Sequence, residues 1–157
     1  MTQSRLRFGT FIPPHTPPDE HPALVLEEDM DRVIWLDKLG YDEAWIGEHF
    51  TAPWEPNPAP DLLIAQALLQ TERIKLCPGA HLLPYHHPIE LAHRVAFLDH
   101  IAQGRYMLGV GISALPTDHD LFGIDAGGGT NRRMTFESLD SESESDMRRS
   151  GSPLRRR

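Results

Sequence analysis

Residues 88–111, PIELAHRVAFLDHIAQGRYMLGVG, hold a helix and then a strand, and their order decides how the rest of the chain reads. Pro88 suits a first helical position, where no intrahelical N–H is needed. Leu91, Val95, Leu98 and Ile101 recur at the steps of one helix face. Gly104 stops the helix, and Arg105 to Val110 reads as a strand. The same alternation runs back toward the N-terminus. Leu6 to Phe11 is a short apolar run stopped by Ile12-Pro13-Pro14, and the segment after it, PPHTPPDEHP, has five prolines and cannot be helical. Leu24, Leu26, Met30, Val33, Ile34, Leu36 and Leu39 mark an amphipathic helix ended by Gly40, with Trp35 expected in its packed face. Asp42 to Ile46 is a second strand, and Gly47 to Pro60 a long loop rich in Pro and Trp. Asp61 is expected to cap a second helix running to about Gln70. Ile74 to Cys77 opens a third strand, and Ala80 to His87 is a loop. Gly111 to Thr130 reads as loop, followed by a fourth helix from near Asn131 carrying Met134, Phe136 and Leu139.

Strands and helices alternating at this spacing demand parallel strands joined by crossovers. No G-x-G-x-x-G follows the first strand, which disfavours a dinucleotide-binding unit. Long loops rich in His and Pro instead follow the C-terminal ends of the strands, where barrel enzymes build their sites. The expectation is an α/β fold comprising the N-terminal half of a (β/α)8 TIM barrel, about four strand–helix units, truncated. Residues 1–140 form that domain. Residues 141–157, SESESDMRRSGSPLRRR, are a disordered Ser/Arg-rich tail, read as the product of a shifted reading frame or early stop.

The 157 residues are 39% hydrophobic, enough for a real core. No apolar run approaches membrane-spanning length, and MTQSRLRF lacks the apolar stretch of a secretory signal, so a cytoplasmic protein is expected. The single cysteine, Cys77, excludes an internal disulfide and reads as a small core residue. Net charge is −8, of which the tail contributes +2, leaving −10 on residues 1–140. That balance argues against nucleic-acid partners, whose phosphates require clustered Lys and Arg.

Three loop clusters carry the chemistry. Glu48-His49 follows the second strand, and histidine titrates near neutrality as acid, base or ligand. His81, His86 and His87 lie in AHLLPYHHP after the third strand; with His15 and His49 they put five of nine histidines on one rim. The spacing shows no H-E-x-x-H and no cysteine partner, so no metal is expected. The alternative is a polar rim that hydrogen-bonds a ligand, with His87 also holding its loop extended before Pro88. Gly109 and Gly111 flank the end of the fourth strand, where glycine serves either a tight turn or close ligand approach, and Ser113 offers a hydroxyl. Trp54, in the proline-rich loop, would cover an apolar substrate pocket with His15 and His86.

Taken together, RFGTFIPPH, LGYDEAWIGEHF, LLPYHHPIELAHRVAFLDHIAQGRYMLGVG, ALPTDHDLFGID and NRRMTFESL resemble the luciferase-like flavin-dependent monooxygenases, the family of bacterial luciferase and limonene monooxygenase-like proteins, from Arg7 to Leu139. The resemblance implies FMN, reduced by a separate flavin reductase, which reacts with O2 to oxidise a small apolar organic substrate. It implies His49 as acid/base beside the flavin, Glu48 orienting polar groups around it, and Gly79 and Ala80 passing close to the flavin ring. Gly109, Gly111 and Ser113, read from their place at the end of the fourth strand, are expected at the cofactor with them, although some members carry a larger residue where Gly111 stands. Phe50 stands where luciferases often carry a second histidine, which argues against light emission. Flavin-phosphate contacts would come from later strands, beyond Leu139. Homodimers are common in the family. The alternatives are an F420-dependent oxidoreductase of the same superfamily and a non-catalytic half-barrel that pairs with another chain.

Overall fold

Strand β1 (Gly9–Ile12) lies parallel to β2 (Glu43–Ile46), which lies parallel to β3 (Lys75–Pro78), with Ile12 opposite Ile46 and Ala44 opposite Leu76. This computed structural model describes residues 5–13, 15–55 and 57–124. Alternation of side chains along a strand sends Ile12, Ala44, Ile46 and Leu76 to one face. There they meet Met30 and Val33 of helix α1 (Pro22–Leu39), Leu63, Ile64, Ala67 and Leu68 of α2 (Pro60–Gln70), and Leu98 and Ala102 of α3 (Pro88–Ala102). The other face presents Phe11, Trp45 and Cys77 side by side.

The third and fourth strands pair in two stretches. Leu76 bridges Tyr106 in parallel, and after a break β4 (His81–Leu82) pairs with β5 (Val110–Gly111), His81 opposite Val110. Five steps on one strand match four on the other, so the third strand carries one extra residue, a bulge, at Pro78-Gly79-Ala80. The Gly79–Ala80 peptide is cis. Gly109 faces this bulge. A Cβ there would stand 2.2 Å from the Pro78 carbonyl oxygen and 3.2 Å from Cys77 Sγ, so glycine is what lets the two strands approach.

The parallel alternation agrees with the sequence expectation, and Gly40 does end α1 in the left-handed conformation, φ +81°. Several local expectations change. The first strand begins at Gly9 rather than Leu6. Trp35 is 61% exposed beneath the Lys38 ammonium, because it lies about 200° around the helix from buried Val33. Asp61 does not cap α2: Ala59 holds that position without a side-chain bond, and Asp61 accepts from Arg94 Nε at 2.9 Å instead. The segment expected as loop after the third strand contains β4 and a 3-10 turn, Leu83–Tyr85. The loop expected from Gly111 contains helix α4 (Pro116–Phe122). The fourth helix expected near Asn131 and the tail 141–157 lie outside the described residues. No helix among the described residues is long and apolar enough to cross a membrane.

Candidate functional site

Gly47 ends β2 with its N–H donating to Ile12 O and its carbonyl accepting from Asn57 Nδ2 at 3.1 Å, which fixes the next two residues at the strand's C-terminal end. Glu48 and His49 then part company. Glu48 turns inward and is 2% exposed. One carboxylate oxygen meets His81 Nδ1 at 3.0 Å and accepts the Leu82 N–H at 3.3 Å; the other meets His86 Nε2 at 2.6 Å. The two imidazoles stand edge to face, and His81 Nε2 lies 3.5 Å from the Tyr106 hydroxyl. Burial pushes the Glu48 carboxyl toward protonation, but the hydrogen bonds of His81 and His86 outweigh it and hold it below its ordinary value. The resemblance placed Glu48 around His49; its contacts here are His81 and His86.

His49 turns outward to a second set of partners. Its Nδ1 lies 3.2 Å from Asp118 Oδ2 and its Nε2 3.3 Å from Glu55 Oε2, so both ring nitrogens face carboxylates. Asp118, fully buried, also accepts from the backbone N–H of Thr51 at 2.8 Å, that of Phe50 at 3.3 Å and the Thr51 hydroxyl at 2.6 Å. Burial raises the Asp118 carboxyl, and the bonds from Thr51, His49 and Phe50 bring it net below the usual aspartate value. Asp118 arrives on α4, whose Phe122 stacks on Tyr85 at 4.6 Å and meets Phe50 edge to face at 4.8 Å. The aromatic contacts dock the short helix and so deliver its carboxylate.

His15 reaches the same cluster through Glu55, at 3.7 Å, and the Thr16 N–H donates to Trp54 O at 2.7 Å, so the loops after β1 and β2 are tied together. Trp54 is half-exposed. Gly79 and Ala80 are half-buried at the bulge, and a Cβ on Gly111 would meet the Ala80 methyl at 3.4 Å. Ser113, at φ +64°, accepts the Leu115 N–H at 3.3 Å. His87 is the extended N-cap of α3, the exit role expected before Pro88. Of the expected residues, Gly109 answers to strand packing. Sequence reasoning gave no role to Asp118 or Glu55. The only signal for Asp118 was its place in ALPTDHDLFGID, just after a helix-starting proline.

The luciferase-like monooxygenase family model matches residues 6–141. The chain is 46% identical over 136 residues to 4-hydroxyprotoasukamycin monooxygenase of Streptomyces nodosus subsp. asukaensis, covering 87% of this chain and 36% of that one. It is 39% identical over 121 residues to limonene 1,2-monooxygenase of Rhodococcus erythropolis, covering 77% and 31%. It superposes with TM-score 0.78 at 35% identity on the oxygenating constituent of 3,6-diketocamphane monooxygenase of Pseudomonas putida, a type II Baeyer-Villiger monooxygenase solved with FMN, covering 85% and 37%. The chain therefore spans about a third of the length of these relatives. Parallel strands, a Glu-His pair at a strand end and this family match agree, and the chain belongs to the luciferase-like monooxygenase family.

Proposed function

We propose that this chain supplies the acid/base rim of an FMN-dependent monooxygenase that uses O2 to oxidise a small apolar organic substrate. The observation that carries the reading is His49, partly exposed at the C-terminal end of a parallel strand with a carboxylate on each ring nitrogen. Parallel barrels place their chemistry at that end, and a relative solved with FMN supports the cofactor. A flat ring would lie with its edge along the bulge, where half-buried Gly79 and Ala80 and the side-chain-free Gly111 support that reading. Those three residues and Ser113 would hold the ring. When bound, reduced flavin supplies the electrons with which O2 is reduced.

The chain's own residues handle protons and access. Asp118 fixes the orientation of the His49 ring through Nδ1, so that its proton is held and released at a defined nitrogen. Trp54, His15 and His86 border the substrate, and the proline-rich loop limits water. The partners on this reading are a flavin reductase, O2, the substrate and a second copy of the chain.

The test is FMN titration of the purified chain, followed by turnover with reduced FMN and isotopically labelled O2 on a panel of terpenes and cyclic ketones. His49→Ala should lower turnover about 100-fold or more while FMN affinity stays nearly unchanged. Unchanged turnover in His49→Ala sinks the assignment. Anaerobic hydride transfer with F420, in place of FMN activity, would establish the deazaflavin reading instead.

A further inference from the structure

The inward half of the site is made of metal-ligating groups. Glu48 is a carboxylate closed off from solvent, and its described ion-pair partners are two imidazoles, with no arginine or lysine among them. Those imidazoles come from different segments, 33 and 38 residues along the chain, one on β4 and one at the end of the 3-10 turn. One nitrogen from each histidine and a Glu48 oxygen lie within 4.8 Å of one another. Two imidazoles and one carboxylate, with a fourth position open, is a donor set that zinc enzymes use.

We propose that Glu48, His81 and His86 bind a divalent transition cation of the Zn2+ or Co2+ class. Ligand atoms about 2.0–2.2 Å from a tetrahedral ion are roughly 3.3 Å apart. The imidazoles here meet opposite oxygens of Glu48, at 3.0 Å and 2.6 Å, and with the ligand atoms within 4.8 Å of one another, side-chain shifts of roughly 1–2 Å bring them onto one ion. Mixed nitrogen and oxygen donors favour such cations over Mg2+ or Ca2+. The surroundings suit ligands. The Leu82 N–H orients the Glu48 carboxylate at 3.3 Å, and the Tyr106 hydroxyl stands 3.5 Å from the far nitrogen of His81, the position a supporting partner takes behind a ligating histidine. His86 is the least buried of the three side chains, at 11% exposure against 1% or less, and marks the side of entry. A cation there would join the end of β2, β4 and the 3-10 turn, and it would neutralise a buried anion. The spacing argument against metal concerned ligands close in sequence; these are assembled by the fold. Cation binding needs only Glu48, His81 and His86 and is read without flavin, so its failure and that of the flavin reading are distinguishable. With the cation bound, His86 serves as ligand rather than at the substrate.

The experiment is titration of the chelator-treated 157-residue chain with CoCl2, read by visible absorption and by thermal unfolding. The expected result is one equivalent per chain with intense tetrahedral-type bands and a Tm higher by several degrees. Glu48→Gln, which keeps shape but removes the charge, and His86→Ala should each weaken binding at least tenfold, with folding checked by circular dichroism. His93→Ala, at an exposed histidine of α3, should bind as the parent does. No binding, binding undiminished in Glu48→Gln or His86→Ala, or equal loss in His93→Ala overturns the proposal. If both ligand variants unfold, the parent spectrum decides: weak octahedral absorption alone, as from a surface-bound ion, overturns it.

Discussion

His49 shows how much one residue's surroundings change its chemistry. A free imidazole offers two equivalent nitrogens, whereas here Asp118 takes Nδ1 and Glu55 takes Nε2. Asp118→Asn keeps the size but removes the charge, so it should lower turnover more than FMN affinity and cost about 1–3 kcal/mol of stability, measured by denaturant unfolding. Asp37 makes a comparable staple outside the site. Its carboxylate accepts the backbone N–H groups of Glu72, Arg73 and Ile74 at 3.0, 2.9 and 2.7 Å, fastening the end of α1 to the start of the third strand. Burial alone would raise its pKa, but these bonds and Arg73 lower it on balance. A lowered carboxyl stabilises the fold at pH above its ordinary value, about 4, and loses that contribution as pH falls through its folded value. Thermal melts of the parent should therefore drop in Tm below about pH 4, and Asp37→Asn should show a flatter acid dependence. Asp37→Asn with the same acid slope as the parent would refute this role. Burial pushes the Cys77 thiol up to about 12. Iodoacetamide at pH 8 should leave it unmodified in the folded chain and label it after denaturation.

Elements add constraints that no single side chain shows. The bulge between Leu76 and His81 takes Gly79 and Ala80 out of pairing with the fourth strand, while the Gly79 N–H still donates to Ile46 O, and it brings His81 onto Glu48. Gly109 allows the neighbouring strand to follow that path. Gly109→Ala should destabilise by about 3 kcal/mol or more, because its Cβ would strike a backbone oxygen rather than a movable side chain. Gly111→Ala meets only ordinary contacts and should cost less than about 1 kcal/mol. Paired denaturant melts check both, and similar costs would refute the distinction. Helix α4 escaped sequence reading because its seven residues, PTDHDLF, are too short for a periodic pattern. Its stability comes from packing Phe122 on Tyr85 and Phe50, residues distant in the chain. Glu48 and His49, by contrast, were legible as a polar pair just past a strand.

Across the molecule, the described sheet has β2 paired on both sides and β1 paired on one. Amide exchange should accordingly protect Ala44 and Ile46 more strongly than the outward-facing amides of β1, and equal protection would mean that another strand covers that edge. The family match covers most of this chain, and the chain spans about a third of the length of its relatives, so the described residues correspond to one part of those longer proteins. The sequence by itself determined the strand–helix alternation, the parallel sheet, the Glu-His pair and the family. Each of these rests on local periodicity, on glycine and proline stops, or on motifs a few residues long. Tertiary structure alone decided that Glu48 serves His81 and His86, that His49 is held by Asp118 and Glu55, and that Gly109 packs strands. The physical reason is register. These partners lie up to 69 residues apart, and a one-residue shift of a strand turns each side chain to the opposite face.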